Sequence, residues 1–237
     1  MRAVLTGGEP LGTALAATVR ASWPDAGLYD LYGLTETGSC DFCLAPADQP
    51  EGLGAIGRPT ENVGFCILAD NGSVAERGLP GEQQVRMPYG MLGYLDDPGL
   101  TASSFSDSFF RTGDLAKLRA DGRVELVGRA KEMISRGGNK VSPLEIDQLF
   151  LSHPHVGAAL SAGVPDPRLG ETIHVVVVPR EGAALDPQAL RDWASRRVER
   201  YKVPDAIHVS EALPTGRTGK ADRTAVARIV HEAVVTY

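Results

Sequence analysis

Residues 128–147 read GRAKEMISRGGNKVSPLEID, and on either side of them the chain has a different character. Within the stretch, Ser142-Pro143-Leu144-Glu145 sets a serine three residues ahead of a glutamate, with proline at the first helical position. Serine and glutamate at that spacing satisfy the free amide donors of a helix start. Proline loses nothing there, because its missing N–H has no partner in the first turn. The spacing therefore predicts a helix from Pro143. Before Arg129-Ala130-Lys131-Glu132 the pattern is β-rich, and after it the pattern is α+β, which places a domain boundary at Lys131.

Upstream, residues 59–130 hold short strand-like runs separated by Asn71-Gly72, Pro80-Gly81 and Asp121-Gly122. Such dipeptides make tight turns, and Arg123 to Val127 after Asp121-Gly122 completes a hairpin. We read 59–130 as a small β-barrel-like subdomain. Earlier still, Ala3 to Thr6 reads as a short buried strand entering a Gly-Gly turn, and Leu15, Val19 and Trp23 recur at helical spacing. Leu28 to Tyr32 reads as a second strand, ending at the polar loop Thr35-Glu36-Thr37-Gly38. Strand, helix, strand is the α/β pattern, and its ligands gather at the carboxyl ends of strands. Residues 1–58 are thus the end of an α/β subdomain. Residues 52–57, GLGAIG, match G-x-G-x-x-G, but a dinucleotide fingerprint follows a strand and opens a helix. Here Arg58-Pro59 intervenes and a strand-like stretch, Val63 to Leu68, comes next, so that reading is rejected.

Downstream, Ile173 to Val178 is a run apolar but for His174 that predicts a buried strand. Asp186-Pro187 opens a helix with Leu190, Trp193, Ala194, Val198 and Tyr201 on one face. Val226, Ile229, Val230 and Ala233 mark a last helix. The fold class is therefore α/β and α+β, with 131–237 as a C-terminal α+β domain.

The chain has 237 residues, 43% of them hydrophobic, which suffices for a sizeable core. Its net charge is -6 and no Lys/Arg run occurs, which argues against a nucleic-acid surface. No apolar stretch approaches a membrane span, and Met1-Arg2 meets Gly7-Gly8-Glu9-Pro10 too soon for a signal peptide. Three cysteines, an odd number in a long chain, predict a reduced, cytoplasmic setting. Cys40 and Cys43 form a C-x-x-C but lack the further ligands of a zinc site, so they read as two small apolar residues.

Residues 214–220, PTGRTGK, look like a phosphate cradle but fail as a P-loop. Gly216 and Gly219 are too close together, and Ala221 stands where a metal-binding hydroxyl is needed. The stretch acquires a meaning only in series. TGGEPL at 6–11, YGLTETG at 32–38, RTGDL at 111–115, residues 128–147, YKVP at 201–204 and TGRTGK at 215–220 follow one another in order. Together they resemble the adenylate-forming superfamily of acyl-CoA synthetases, non-ribosomal adenylation domains and beetle luciferases, over nearly the whole chain.

The resemblance implies an ATP-dependent acid–thiol ligase that makes an acyl-adenylate and then an acyl-CoA thioester. It implies ATP and Mg²⁺, with coenzyme A and a small-molecule carboxylic acid as co-substrates. By this carry-over, Gly8 and Glu9 bring backbone close to the adenine and Tyr32 stacks on it. Thr35 donates to the α-phosphate, Glu36 binds Mg²⁺, and Asp114 and Arg129 hold the ribose and phosphate. Lys220 reaches over the α-phosphate and the acyl carboxylate. Lys131 is the hinge about which 131–237 turns as a lid between the two half-reactions, and Gly137 and Gly138 line the pantetheine tunnel. Gly38, Ser39 and Cys40 line the floor of the acyl pocket. The family's glycine- and threonine-rich phosphate loop, of the S-G-T-T-G-x-P-K kind, is not in this sequence. The expectation is a C-terminal part, completed by a missing N-terminal half or a partner chain. A non-catalytic nucleotide- or CoA-binding module is the alternative.

Overall fold

The computed structural model describes residues 1–8, 11–216 and 220–228. The chain divides into two compact units, Met1–Ala130 and Lys131–Tyr237.

The first unit opens with strand β1 (Ala3–Gly7), helix α1 (Thr13–Ser22) and strand β2 (Gly27–Tyr32), and the two strands are parallel. The helix buries Ala16 and packs Val19 against Leu28 and Val4, while Leu15 and Trp23 of the expected stripe face outward. Alanine at the contact lets the helix lie close on the strands. Strands β3 (Phe42–Leu44) and β4 (Arg58–Pro59) extend the sheet antiparallel, in the order β1-β2-β3-β4. Residues 52–57 run as turns that lead into β4, and the Ile56 amide donates to the Val124 carbonyl at 2.8 Å. The GLGAIG stretch is therefore a stitch between two sheets.

The second sheet of this unit is a curled, antiparallel one. It contains β5 (Gly64–Leu68), β6 (Gly81–Arg86), β7 (Phe105–Ser106), β8 (Phe109–Leu118) and β9 (Val124–Arg129), in the order β5-β6-β8-β7 with β9 on β8. Register irregularities fall between Glu82 and Gln84 and between Leu115 and Ala116, where an extra residue bends a strand and raises its twist. A short helix, α2 (Pro98–Ser103), starts where Asp97 accepts the Leu100 amide. One apolar cluster joins both sheets: Phe42 and Ile56 meet Ile67, Val85, Phe110, Ala116 and Val124. Phe42 and Phe65 pack edge to face at 5.3 Å, so the two sheets of residues 1–130 share a core.

In the second unit, β10 (Ile134–Arg136) and β11 (Asn139–Val141) form a hairpin, and helix α3 (Pro143–Leu151) follows. Ser142 accepts the Glu145 amide at 3.3 Å, and Lys202 donates to the Glu145 carboxylate at 2.7 Å. The long strands β12 (Val156–Asp166) and β13 (Gly170–Pro179) are antiparallel. Helix α4 (Pro187–Ser195) precedes β14 (Ala206–Val209), which runs parallel to β13. Ile173, Val175 and Val177 of β13 enter a core with Ile146, Phe150, Leu190 and Ala194. The predicted apolar face extended through Val198 and Tyr201, but α4 ends at Ser195. Tyr201 reaches the same core from a 3-10 turn at Arg200–Lys202. Residues 223–228 are helical and bury Val226 against Leu160, Ala162 and Val176. Ile229, Val230 and Ala233 lie outside the described residues. Among the described residues no helix is long and apolar enough to cross a membrane.

Gln83 breaks the apolar rule of the first core. It is fully buried on β6, two residues from Val85, and neither side-chain amide atom has a hydrogen-bond partner among the described residues. A stranded amide costs its desolvation with no return, so Gln83→Met should raise stability by about 1–3 kcal/mol. The check is a urea titration, with a higher midpoint and an unchanged slope as the expected result. A midpoint that stays or falls would show that the amide finds its partners in solution.

Candidate active site

Gly7 of β1 lies in register with Leu31 of β2, so the chain leaves β1 at Gly8 beside Tyr32. A Cβ on Gly7 would sit 2.8 Å from the Leu31 carbonyl oxygen, and Gly8 has φ +88°, a left-handed conformation that favours glycine. Beneath the turn, the Thr6 hydroxyl donates to Asp30 Oδ1 at 2.8 Å. Burial raises the Asp30 carboxyl above its usual range, and the Thr6 bond opposes that shift. Glu9 lies outside the described residues.

Tyr32 ends β2 and points its hydroxyl at Asp114 Oδ2, 2.5 Å away. Asp114 lies on β8 and is 4% exposed. Its other oxygen, Oδ1, pairs with Arg129 Nε at 2.9 Å, across from it in the β8–β9 register. The Arg129 side chain is half exposed. Burial first, then the Asp114 charge and hydrogen bond, push the Tyr32 phenol far above its ordinary value. The ring packs edge-on against Phe42 at 6.0 Å. Each carboxylate oxygen of Asp114 can accept more than one donor.

The loop after β2 folds into a 3-10 turn at Thr35–Thr37. Thr35 is exposed, and Glu36 is half-buried with Oε1 accepting from the Tyr94 hydroxyl at 3.3 Å. The Met91 amide donates to the Glu36 carbonyl at 2.8 Å, which ties the turn to a second segment. Thr37 holds the turn from within. Its hydroxyl accepts the Leu34 amide at 3.1 Å and donates to the fully buried Asp41 carboxylate. Asp41 Oδ1 has no partner among the described residues, and burial raises this carboxyl too.

The first unit thus gathers Tyr32, Asp114 and Arg129 into one contact set, with Gly8 beside Tyr32 and Thr35 and Glu36 on the next turn. Gly38 follows that turn at φ +94° and Ser39 at φ +73°, and Cys40 is half-buried. Tyr94, Thr37 and Asp41 were not singled out from the sequence. Asp41 did carry a signal, an acid inside the apolar run Cys40 to Leu44, whereas Tyr94 lies 58 residues from Glu36 with nothing local to mark it. Among the described residues no cluster of three His, Cys, Asp or Glu forms a metal cage. Glu36 offers one carboxylate, which fits a Mg²⁺ ion that keeps waters and substrate phosphates as its other ligands.

The second unit carries the other residues. Lys131 is exposed in a 3-10 turn at Ala130–Glu132. Gly137 and Gly138, at φ +58° and +82°, form the two-residue loop of the β10–β11 hairpin, closed by Arg136 opposite Asn139. That turn type needs positive φ at both central residues, so the glycine pair has a structural reason to be there. Lys220 is exposed, and its carbonyl accepts the Gly216 amide at 2.8 Å. Arg217, Thr218 and Gly219 lie outside the described residues.

Residues 1–95 match the family described as AMP-binding enzyme, and residues 145–220 match the AMP-binding enzyme C-terminal domain. The chain is 34% identical to an oxalate–CoA ligase of Arabidopsis thaliana over 204 residues, 86% of this chain and 40% of that protein. It is 34% identical to a feruloyl-CoA synthase of an Amycolatopsis species over 230 residues, 96% of this chain and 46% of that protein. Among solved structures, an amide bond synthetase from Marinactinospora thermotolerans superposes with a TM-score of 0.90 at 33% identity, covering 97% of this chain and 46% of that one. An o-succinylbenzoate CoA synthetase from Bacillus subtilis, in complex with its acyl-adenylate intermediate, gives 0.84 at 30% identity, covering 94% and 45%. The chain spans less than half the length of each of these proteins.

The Tyr32–Asp114 contact makes a spectroscopic prediction. A phenol ordinarily ionises near pH 10. With its phenol raised far above that, Tyr32 stays protonated while exposed tyrosines ionise. The alkaline absorbance change of the folded protein should therefore be the same in wild type and in Tyr32→Phe. A change smaller by one tyrosine's share in the variant would overturn the assignment.

Proposed function

The chain belongs to the adenylate-forming, AMP-binding enzyme family, and we propose that it supplies the C-terminal part of an ATP-dependent acid–thiol ligase making an acyl-adenylate and then an acyl-CoA thioester. The observation that carries this is the buried Asp114 carboxylate, fixed between the Tyr32 hydroxyl and the Arg129 guanidinium at the end of β2. Such a group is aligned before any ligand arrives, and a carboxylate oxygen can accept more than one donor. The names of the relatives support the thiol ligase reading, since the curated ones cited are CoA ligases and synthetases.

In this reading a small carboxylic acid attacks the α-phosphorus of ATP and pyrophosphate leaves. The thiol of coenzyme A then attacks the acyl carbon and AMP leaves. Tyr32 offers a ring to the adenine and the Gly8 turn lets the base come near. Thr35, exposed on its turn, donates to the α-phosphate. Glu36 holds Mg²⁺, which neutralises phosphate charge. Lys220 brings a compact cation with three donors to the α-phosphate and the acyl carboxylate. Lys131 is the pivot that exchanges Lys220 for the Gly137-Gly138 hairpin, the pantetheine side, between the two steps. The phosphate-loop half, on the same chain or on a partner, completes the site. The reducing cytoplasm is the proposed setting, a reading supported by free thiols at Cys40, Cys43 and Cys66.

The test is acid-dependent ATP–pyrophosphate exchange. The 237-residue chain alone should show none, and exchange should appear once the phosphate-loop half is supplied. Lys220→Ala should then lower it about 10²- to 10³-fold, the usual loss for one positioned charge. Exchange by the chain alone, or exchange unchanged in the variant, would each count against the reading.

The pivot makes its own prediction. Proline fixes φ near about −65° and constrains the residue before it, so Lys131→Pro restricts rotation without removing a group assigned to ATP. Single-turnover acyl-adenylate formation and thioester formation from preformed acyl-adenylate should separate, the first retained and the second lost. Equal loss of both would point to misfolding, and no loss of either would rule out the pivot.

A further inference from the structure

Arg223, three residues beyond Lys220, makes contacts on three sides. Its Nη2 lies 2.7 Å from Asp147 Oδ2 on α3. Its Nη1 donates to the Ser161 carbonyl on β12 at 2.7 Å, and its Nε donates to Glu132 Oε2 at 2.9 Å. Asp147 is buried, and its Oδ1 accepts both the amide and the hydroxyl of Ser161, at 2.6 and 2.7 Å. The guanidinium fork is rigid and multidentate, so three contacts in different directions fix its position and orientation.

What this holds is the root of the Lys220 segment. The Gly216 amide donates to the Lys220 carbonyl at 2.8 Å, the Asp222 amide donates to the Pro214 carbonyl at 2.9 Å, and Thr215 bridges Ala221. Asp222 then accepts the Thr224 amide at 2.9 Å, and Ala225 and Val226 are buried. Glu132 is the residue after Lys131, at the start of the second unit. One side chain therefore joins the leading residues of the unit to the hairpin that bears Lys220.

We propose that Arg223 is a positioning residue that roots the Lys220 hairpin in the leading turn of the second unit, so that Lys220 moves with that unit as one body. The role rests on the reading of Lys220 as the cation of the adenylation step. A long flexible side chain delivers its charge to one place only if its backbone is fixed.

The experiment uses the full chain in two variants. Arg223→Met alone would strand a buried carboxylate and endanger the fold, so it is paired with Asp147→Asn. Glu132→Gln removes only the charge of the exposed arm. Hydrogen exchange at the Gly216 and Asp222 amides should lose protection about tenfold or more in the double variant and by less in Glu132→Gln, with β12 and β13 unchanged. Unchanged protection of the hairpin overturns the proposal, and so does equal loss across β12 and β13. When the phosphate-loop half is supplied, the double variant should lower single-turnover adenylate formation about tenfold or more, because a misplaced catalytic group costs rate steeply. Transfer from preformed acyl-adenylate to coenzyme A should stay unchanged. Equal loss of both steps overturns the proposal. If the wild type forms no adenylate, the functional reading falls, and hydrogen exchange alone decides the anchoring.

Discussion

The first unit is organised around one buried carboxylate. Asp114 is nearly inaccessible, and removing such a charge from water is tolerable only when opposite charge and donors replace the water. Tyr32 and Arg129 do so from two different elements, the end of β2 and the β9 side of a hairpin. The carboxylate is thus a fastener between the first sheet and the curled one, and it sits where the parallel strands β1 and β2 end. Stability and candidate chemistry use the same atoms. A residue in that position cannot be changed for one purpose without disturbing the other.

Much of the fold was legible because local chemistry dictates it. Ser142 and Pro143 mark a helix start wherever they stand, and Asp121-Gly122 makes a turn regardless of what surrounds it. The β13 run Ile173 to Val178 is apolar but for His174 because both of its faces are covered, by Phe150 and Leu190 on one side and by Leu160 and Val226 on the other. Legibility fails where the deciding contact is distant. Helical spacing put Leu15 and Trp23 on the buried face of α1, but β2 presents Leu28 to Ala16 instead, and only the packing can say so. The end of α4 is another case, since Tyr201 has the right period and the right destination but arrives there by a separate turn.

The candidate site divides in the same way. Tyr32, Glu36, Asp114 and Arg129 stand out because they fall within ordered motifs. Their supports do not. Tyr94 meets Glu36 across 58 residues, and Thr37 and Asp41 act inside the turn with no motif of their own. A short motif names the candidate group and leaves unnamed the groups that hold it in place. Asp41 shows what a closer reading can recover, since an acid placed among buried apolar neighbours must have a partner or bear an energetic cost.

Buried polar groups in this chain therefore carry different meanings, and their partners distinguish them. The Gln83 side-chain amide has none among the described residues and is fully buried, so it weakens the core that encloses it. Asp41 has one oxygen engaged and one without a partner among the described residues, and the engaged oxygen braces the turn of Thr35 and Glu36. Asp147 has both oxygens engaged, by Ser161 and by Arg223, and Arg223 is joined in turn to Glu132. With rising satisfaction the role passes from local cost, to support of a turn, to a link between the first and last segments of a unit. The lysine in PTGRTGK gains its significance from that link. The stretch fails as a phosphate loop because its glycines are misplaced for one, and it suits the positioned cation proposed for Lys220 because the residues just after it are fixed in place.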